Sequence, residues 1–353
     1  MFKPGLKGIE AVETEISQID GKKGVLTYRG VPIQQIIGRY TFEETAYYLL
    51  YASFPTESEL TTFQNQLKEF RCIPAYVKLI IDQLPSSHSI MDVLRTAVSS
   101  LTVDKEHTAP VSIIAVLPTI IAYRYRKLNN KPVIVPDSKL NHVDNFLYML
   151  TEKMDPIHTG LLETYMVMTM EHGLNASAFS ARVTISTESD FISAVTSALG
   201  TMKGPLHGGA PSGVLELLDQ IKTKECISEV IHKKLKNKER IMGFGHRVYK
   251  TVDPRAEALK SKILEFEKLP KWMDLALQTE KKTIEILDEF KPEQKLYTNV
   301  EYYAAAIMKS IDLDPELFTA IFSASRIVGW CAHIIEQSNN NTIFRPTVKY
   351  IGN

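Results

Sequence analysis

The chain has little cysteine. Its three, Cys72, Cys226 and Cys331, lie far apart and never form a C-x-x-C pair, which excludes a disulfide framework and a cysteine-built zinc site. That scarcity suits a reducing compartment, so a cytoplasmic protein is expected. Net charge is missing as well. The 41 lysines and arginines balance 41 aspartates and glutamates, so no overall field draws the chain to nucleic acid or to an anionic membrane. Any anion must be held by a local cluster. The longest apolar stretch, Val111 to Tyr123, is shorter than the ~20 residues of a membrane span and contains Pro118. The opening MFKPGLKGIE shows no apolar signal region before its first acidic residue. Neither a membrane nor a nucleic-acid partner is expected.

What is present is an ordinary globular composition, with 44% hydrophobic and 23% charged residues over 353 positions. At ~150 residues per domain this is enough for about two domains. The segment EISQID, the turn Gly21-Lys-Lys-Gly24 and VLTYRG read as a small N-terminal β-hairpin. Nearly everything afterwards has helical spacing. Thr41-Phe-Glu-Glu44 and Thr56-Glu-Ser-Glu59 match the capping box, in which hydroxyl and carboxylate satisfy the first backbone N–H groups of a helix. Further helices are expected near 91–101, 111–126 (kinked at Pro118), 141–151, 161–170, 176–186, 189–199, 211–221, 225–235, 254–266, 271–288, 300–311 and 315–336. No strand–helix alternation is visible, so the fold class is all-α apart from the hairpin. The charged stretch Lys222 to Lys238 reads as a solvated face of a second, smaller domain.

Three of the nine histidines sit among glycines: Glu171-His172-Gly173, His207-Gly208-Gly209 and Gly243-Phe-Gly245-His246. Glycine lets backbone approach a ligand or turn sharply, which places these rings within reach of a small molecule. The plain alternative is a histidine beside a glycine helix cap. His88, His107, His142, His158, His232 and His333 lack such context and read as surface or satisfied core residues. No H-x-x-x-H pair occurs, so no metal site is expected. Neither G-x-G-x-x-G nor a P-loop is present, which excludes the usual nucleotide folds. Arg255, Arg326 and Arg345 carry forked donors suited to carboxylates, with surface ion pairs as the ordinary alternative. Glu301 is the last candidate site residue, but Thr298-Asn-Val-Glu301 also fits a capping box and thus a plain helix start.

Taken in order, EHGLNASAF, KGPLHGGA, GFGHRVYKTVDPRA, TNVEYYAA, FSASRIVGW and the terminal FRP resemble the citrate synthase family, in its short bacterial and archaeal form, over nearly the whole chain. The resemblance implies a two-domain helical homodimer: a large domain from 1–209 and 313–353, and a small mobile domain from 210–312. It implies condensation of acetyl-CoA with oxaloacetate without metal or other cofactor. Glu301 then takes the base position, His207 the donor to the thioester oxygen and His246 the donor to the oxaloacetate carbonyl. His172, His246, Arg255 and Arg326 match the oxaloacetate and citrate ligands, and Arg345 the arginine contributed by the partner subunit. Coenzyme A would lie against Met242, Gly243, Phe244 and Gly245, with Arg247 and Lys250 near its phosphates and Asn299 near its pantetheine. One position departs from the pattern: the family usually has aspartate in P-N-V-D, and this chain has Glu301. Two alternatives accompany the reading. One is 2-methylcitrate synthase acting on propionyl-CoA, whose extra methylene is worth only ~1–3 kcal/mol in a pocket. The other is a catalytically idle sensor of oxaloacetate or CoA.

Overall fold

A computed structural model describes residues 2–103, 106–208, 210–246, 248–265, 271–294 and 296–352. The N-terminal hairpin proves to be a three-stranded antiparallel sheet, in which β1 (Ser17–Asp20) pairs with β2 (Val25–Tyr28) and β2 with β3 (Val31–Pro32). Ser17 faces Tyr28 and Asp20 faces Val25. The third strand follows from local geometry. Arg29 and Gly30 both have positive φ (44° and 87°), the two-residue turn whose twist suits a hairpin, and the chain folds straight back so that Val31 pairs with Tyr28.

The remaining regular structure is helical. Both anticipated capping boxes form: the Thr41 and Thr56 backbone N–H groups donate to Glu44 and Glu59 at 2.8 Å, starting helices Phe42–Tyr51 and Glu57–Glu69. The third candidate box does not. Asn299, not Thr298, caps helix Val300–Ser310, its side chain accepting from the Glu301 N–H at 3.1 Å. Thr298 instead donates its hydroxyl to buried Glu280 at 2.5 Å. Helix Ala109–Leu128 continues through Pro118, and a helix at Ala75–Gln83 forms where only Val77 and Ile81 are buried, too narrow a stripe to announce it.

Helix Phe318–Asn339 lies at the centre, packed against helices Phe42–Tyr51, Ile90–Ser99, Ala109–Leu128, Pro156–Thr169, Ala176–Ile185 and Phe191–Met202. Residues 315–339, rather than 111–123, form the segment whose length and composition would suit a membrane span, but 89% of its 18-residue apolar stretch is buried inside the protein. Its apolar surface makes the core.

A second, separate core joins Leu217, Ile221, Ile227, Ile231, Leu235, Ile241, Ile286 and Leu287. Lys222 to Lys238 is therefore not simply a solvated face: helix Ile227–Lys236 points three apolar residues into this core and its lysines outward. Helices Pro254–Leu264 and Val300–Ser310 belong to the main core instead, and they bring Arg255 and Glu301 toward it.

Candidate active site

Helix Pro156–Thr169 ends at a sharp corner, Glu171-His172-Gly173, with Gly173 at φ 59°. Glu171 is fully buried. Its Oε1 accepts from the Ser17 hydroxyl at 2.9 Å and faces His333 Nε2 at 3.2 Å. Burial alone would raise this carboxyl, yet His333, Arg326 and Ser17 hold it below its ordinary value. The Tyr28 hydroxyl accepts from the Glu171 N–H at 3.2 Å and fixes the corner from the other side. A methyl group at Gly329 would overlap the Met170 carbonyl and the Glu171 carboxylate, so the central helix can come this close only there. His172 shares a hydrogen bond with the Tyr249 hydroxyl (3.1 Å). Arg326, also buried, donates from Nε to the Thr169 carbonyl at 2.7 Å and lies 4.7 Å from the Phe322 ring centroid.

His207 follows helix Phe191–Met202 in a turn closed by its own N–H to Gly204 at 2.9 Å. Its Nε2 is 2.7 Å from the Ser177 hydroxyl. That hydroxyl accepts from Trp330 Nε1 at 2.9 Å and also faces Asn175 Oδ1 at 2.8 Å. Ser177 thus has one proton and two acceptors.

The third side is the loop from Met242 to Tyr249. Gly243 and Gly245 stand at φ 85° and 82°, the left-handed region that glycine adopts without strain. The loop is joined to the segment before Glu301: Gly245 N–H donates to the Tyr297 carbonyl (2.8 Å), Asn299 N–H to the Gly243 carbonyl and Asn299 Nδ2 to the Gly245 carbonyl (both 2.9 Å). His246 Nδ1 accepts from the N–H groups of Val248 and Tyr249 at 3.0 and 3.1 Å. Two backbone donors on Nδ1, against the single longer approach of Arg255 Nη2 to Nε2 at 3.4 Å, favour a neutral ring with its proton on Nε2. Asp253 grips Arg255 through Nε (3.0 Å) and Nη2 (2.9 Å), and its second oxygen accepts from the Val300 N–H at 3.1 Å. One buried carboxylate therefore fixes both the arginine and the helix start that carries Glu301.

The rings of His172 and His246 are 5.8 Å apart, and Tyr249 lies 5.7 and 4.9 Å from them. Burial, reinforced by arginines, pushes His207 and His246 down to about 4 and His172 well below its ordinary value. All three are neutral at pH 7. Glu301 moves the other way: burial raises it to about 7 against the pull of Arg255 and Arg326, with Asp253 adding to the rise. Among the described residues no donor reaches its carboxylate oxygens, and none form a group of three histidines, cysteines or carboxylates able to hold a metal ion. Beside the loop lies a cavity of about 480 Å³, lined in part by His246, Tyr249, Asp253 and Thr298.

A family model described as "Citrate synthase, C-terminal domain" matches residues 5–347. The chain belongs to the citrate synthase family. It is 37% identical to a citrate synthase of Synechocystis, the match covering 100% of this chain and 91% of that one. It is 36% identical to a 2-methylcitrate synthase of Shewanella oneidensis, over 99% and 94%. The crystal structure of citrate synthase from Thermotoga maritima matches with a TM-score of 0.91 at 38% identity, covering 100% of this chain and 96% of that one. Family and fold make the chain a transferase of mostly helical architecture.

Within this citrate synthase-family fold, His172, His246, Arg255, Arg326 and Glu301 share one electrostatic neighbourhood, and Arg326 also acts on His207. Arg345 lies elsewhere, exposed on the C-terminal tail beside a cavity of about 630 Å³ that Leu6, Ile9, Phe179 and Phe344 help to line. Arg247 falls outside the described residues. Lys250 is exposed and lines the first cavity. Asn299 has its amide engaged as helix cap and loop clasp, and Met242 packs against Gly213. Of the remaining histidines, His333 is the satisfied core residue expected. His142 is buried with neither ring nitrogen paired among the described residues, and burial lowers it to about 3. Arg255 and Arg326 are buried, not surface ion pairs. Sequence reasoning passed over Tyr249, Ser177, Trp330 and Asp253 as site residues. Only Asp253 carried a local signal, as Asp-Pro at a helix start.

Proposed function

We propose that the chain condenses acetyl-CoA with oxaloacetate and hydrolyses the resulting thioester to citrate and CoA. The observation that carries this is Glu301, a carboxylate that burial raises to about 7 with no donor on its oxygens among the described residues, within electrostatic reach of the buried Arg255 and Arg326, which also act on the neutral His246 and His207. A weakly acidic carbon needs a base whose affinity for protons is matched to neutral pH. Glu301 takes the methyl proton, the C–H electron pair enters the enol, and His207 stabilises the thioester oxygen by donating from Nδ1. That role requires the Ser177 hydroxyl to donate its hydrogen bond to His207 Nε2 rather than to Asn175 Oδ1. The enol carbon then attacks the ketone of oxaloacetate while His246 Nε2–H donates to its oxygen. His172, Arg255 and Arg326 hold the carboxylates. Water cleaves citryl-CoA.

Coenzyme A lies along Met242, Gly243, Phe244 and Gly245, with Arg247 and Lys250 toward its phosphates and Asn299 toward its pantetheine. Lys238, Arg240 and Lys291 line a cavity of about 450 Å³ on this loop and add positive charge there. The segment 210–312 closes over the remainder of the chain, a reading supported by the separate core that part of it forms, from Leu217 to Ile241 with Ile286 and Leu287. Arg345, distant from its own chain's cluster, completes the site of a partner subunit in a homodimer. The unpaired Cys72, Cys226 and Cys331 suit the cytoplasm.

Thiol release tests the reading. CoA should appear from acetyl-CoA only when oxaloacetate is present, and undiminished after chelation. A second reading, 2-methylcitrate synthase, is favoured by the Shewanella relative; kcat/KM for propionyl-CoA above that for acetyl-CoA decides for it. Oxaloacetate binding with no thiol release from either thioester would identify an idle sensor and overturn the proposal.

A further inference from the structure

The N-terminal sheet touches both histidine corners. From β1, Ser17 donates its hydroxyl to Glu171 Oε1 (2.9 Å) and accepts from the Gly173 N–H (3.2 Å), so one side chain holds the residues on either side of His172. Two residues on, Ile19 packs on Gly173, where an added methyl would sit 3.1 Å from its Cδ1. The turn that follows faces the other corner. The Gly21 carbonyl accepts from the Lys250 N–H at 2.8 Å. A methyl on Gly21 would overlap the Val248 carbonyl oxygen, and one on Gly24 would come within 2.8 Å of Thr251 Cγ2 and the Val252 carbonyl oxygen. The seated residues 248–252 lie between His246 and Arg255. Val248 and Tyr249 are also the two whose N–H groups orient the His246 ring, and Tyr249 reaches across to His172.

We infer that β1 and its turn are a positioning element of the condensation site: Ser17 registers the His172 corner, and Gly21 registers the His246 loop against the same strand. The inference rests on the function proposed above. Neither residue touches a reacting atom, and both act through histidines. Glycine is required at position 21 for space rather than for backbone freedom, because its φ is not in the left-handed region and alanine could adopt the conformation. A side chain there is therefore a wedge aimed at one loop.

The test compares Gly21→Ala, Ser17→Ala and Ser17→Thr, with Gly160→Ala as control, since a methyl at Gly160 meets nothing within 4 Å. Displacing a binding group by ~1 Å costs up to ~100-fold, so Gly21→Ala should lower kcat/KM for oxaloacetate by ~10–100-fold with little change in melting temperature. Ser17→Ala should raise the oxaloacetate KM, and Ser17→Thr, which returns the hydroxyl, should restore it; the control stays at wild type. Hydrogen exchange at the Lys250 amide should speed up in Gly21→Ala. Wild-type kcat/KM in Gly21→Ala, or a Ser17→Ala loss that threonine does not restore, overturns the inference. If Gly21→Ala fails to fold, the serine pair decides alone. A wild-type chain that releases no thiol would sink the function reading only; the exchange measurement still reads the seat, and an unchanged Lys250 rate overturns it.

Discussion

The two histidine corners are built by different means. Around His172, side chains deep in the core do the holding: Glu171 meets His333 and Ser17, His333 Nδ1 accepts from Arg182 Nε at 2.9 Å, and Arg182 continues to Gln337 at 3.0 Å and to Glu336. Around His246, mainly backbone does it, through Tyr297, Asn299 and the two positive-φ glycines Gly243 and Gly245, with the Asn299 amide as a clasp. The first corner depends on which side chains are present, the second on the path of the chain. Losing a polar group should therefore harm the first most, and adding bulk should harm the second.

The largest stability effect tests the first corner. His333→Leu keeps volume but leaves Glu171 buried without its ring partner, and breaking a buried pair costs ~3–5 kcal/mol. Denaturant unfolding measures it, and a loss under ~1 kcal/mol would erase the contrast between corners.

Next in size is the chemistry on the second side. Glu301→Gln should lower kcat by ~100-fold or more, the lower range for a positioned base, while oxaloacetate still binds. Wild-type turnover in that variant would refute the base assignment. The pH dependence sharpens the point. Glu301 titrates near 7 when folded against an ordinary value of 4.5, so between these values the folded chain binds more protons than the unfolded one. Its contribution to stability is present below pH 4.5 and declines as pH rises to 7. Over the same range kcat/KM should rise as the base ionises. Glu301→Gln should remove both trends, and their persistence would assign them to another group.

The smallest effect probes the backbone-built corner. Gly245→Ala forces a left-handed alanine at φ 82°, costing ~1–2 kcal/mol. It should shift unfolding less than His333→Leu but raise the KM for acetyl-CoA, since the loop itself moves. A larger stability loss than that of His333→Leu would reverse the comparison.

Much of the helical fold was legible because caps and periodicity are local. The boxes at Thr41 and Thr56 form as their spacing says. The box at Thr298 fails because asparagine competes better for the cap and Glu280, from the preceding helix Lys271–Phe290, takes the threonine hydroxyl. Glycines single out His172, His207 and His246, and Asp-Pro singles out Arg255, whereas Arg326 and Arg345 carry no such mark and stand out only through the family resemblance. Their supports were not. Nothing near Ser177 announces Trp330 or His207, nothing near Tyr249 announces His172, and a third strand of two residues has no periodicity to read. The burial that lowers three histidines and raises Glu301 exists only after distant helices meet.

The bond from Ser17 to Glu171 spans 154 residues, and that from Lys250 to Gly21 spans more of the chain still. During synthesis the first strand emerges early, and three short strands are marginal by themselves. Its two long-range partners leave the ribosome far later, and closing such loops is slow. Helices can pair with neighbours as they appear, whereas the histidine corners find their register only after residue 250 has been made. A nascent chain paused before that point would lack both the aligned histidines and the central helix Phe318–Asn339 on which its earlier helices pack, so activity should be among the last properties a newly made molecule acquires.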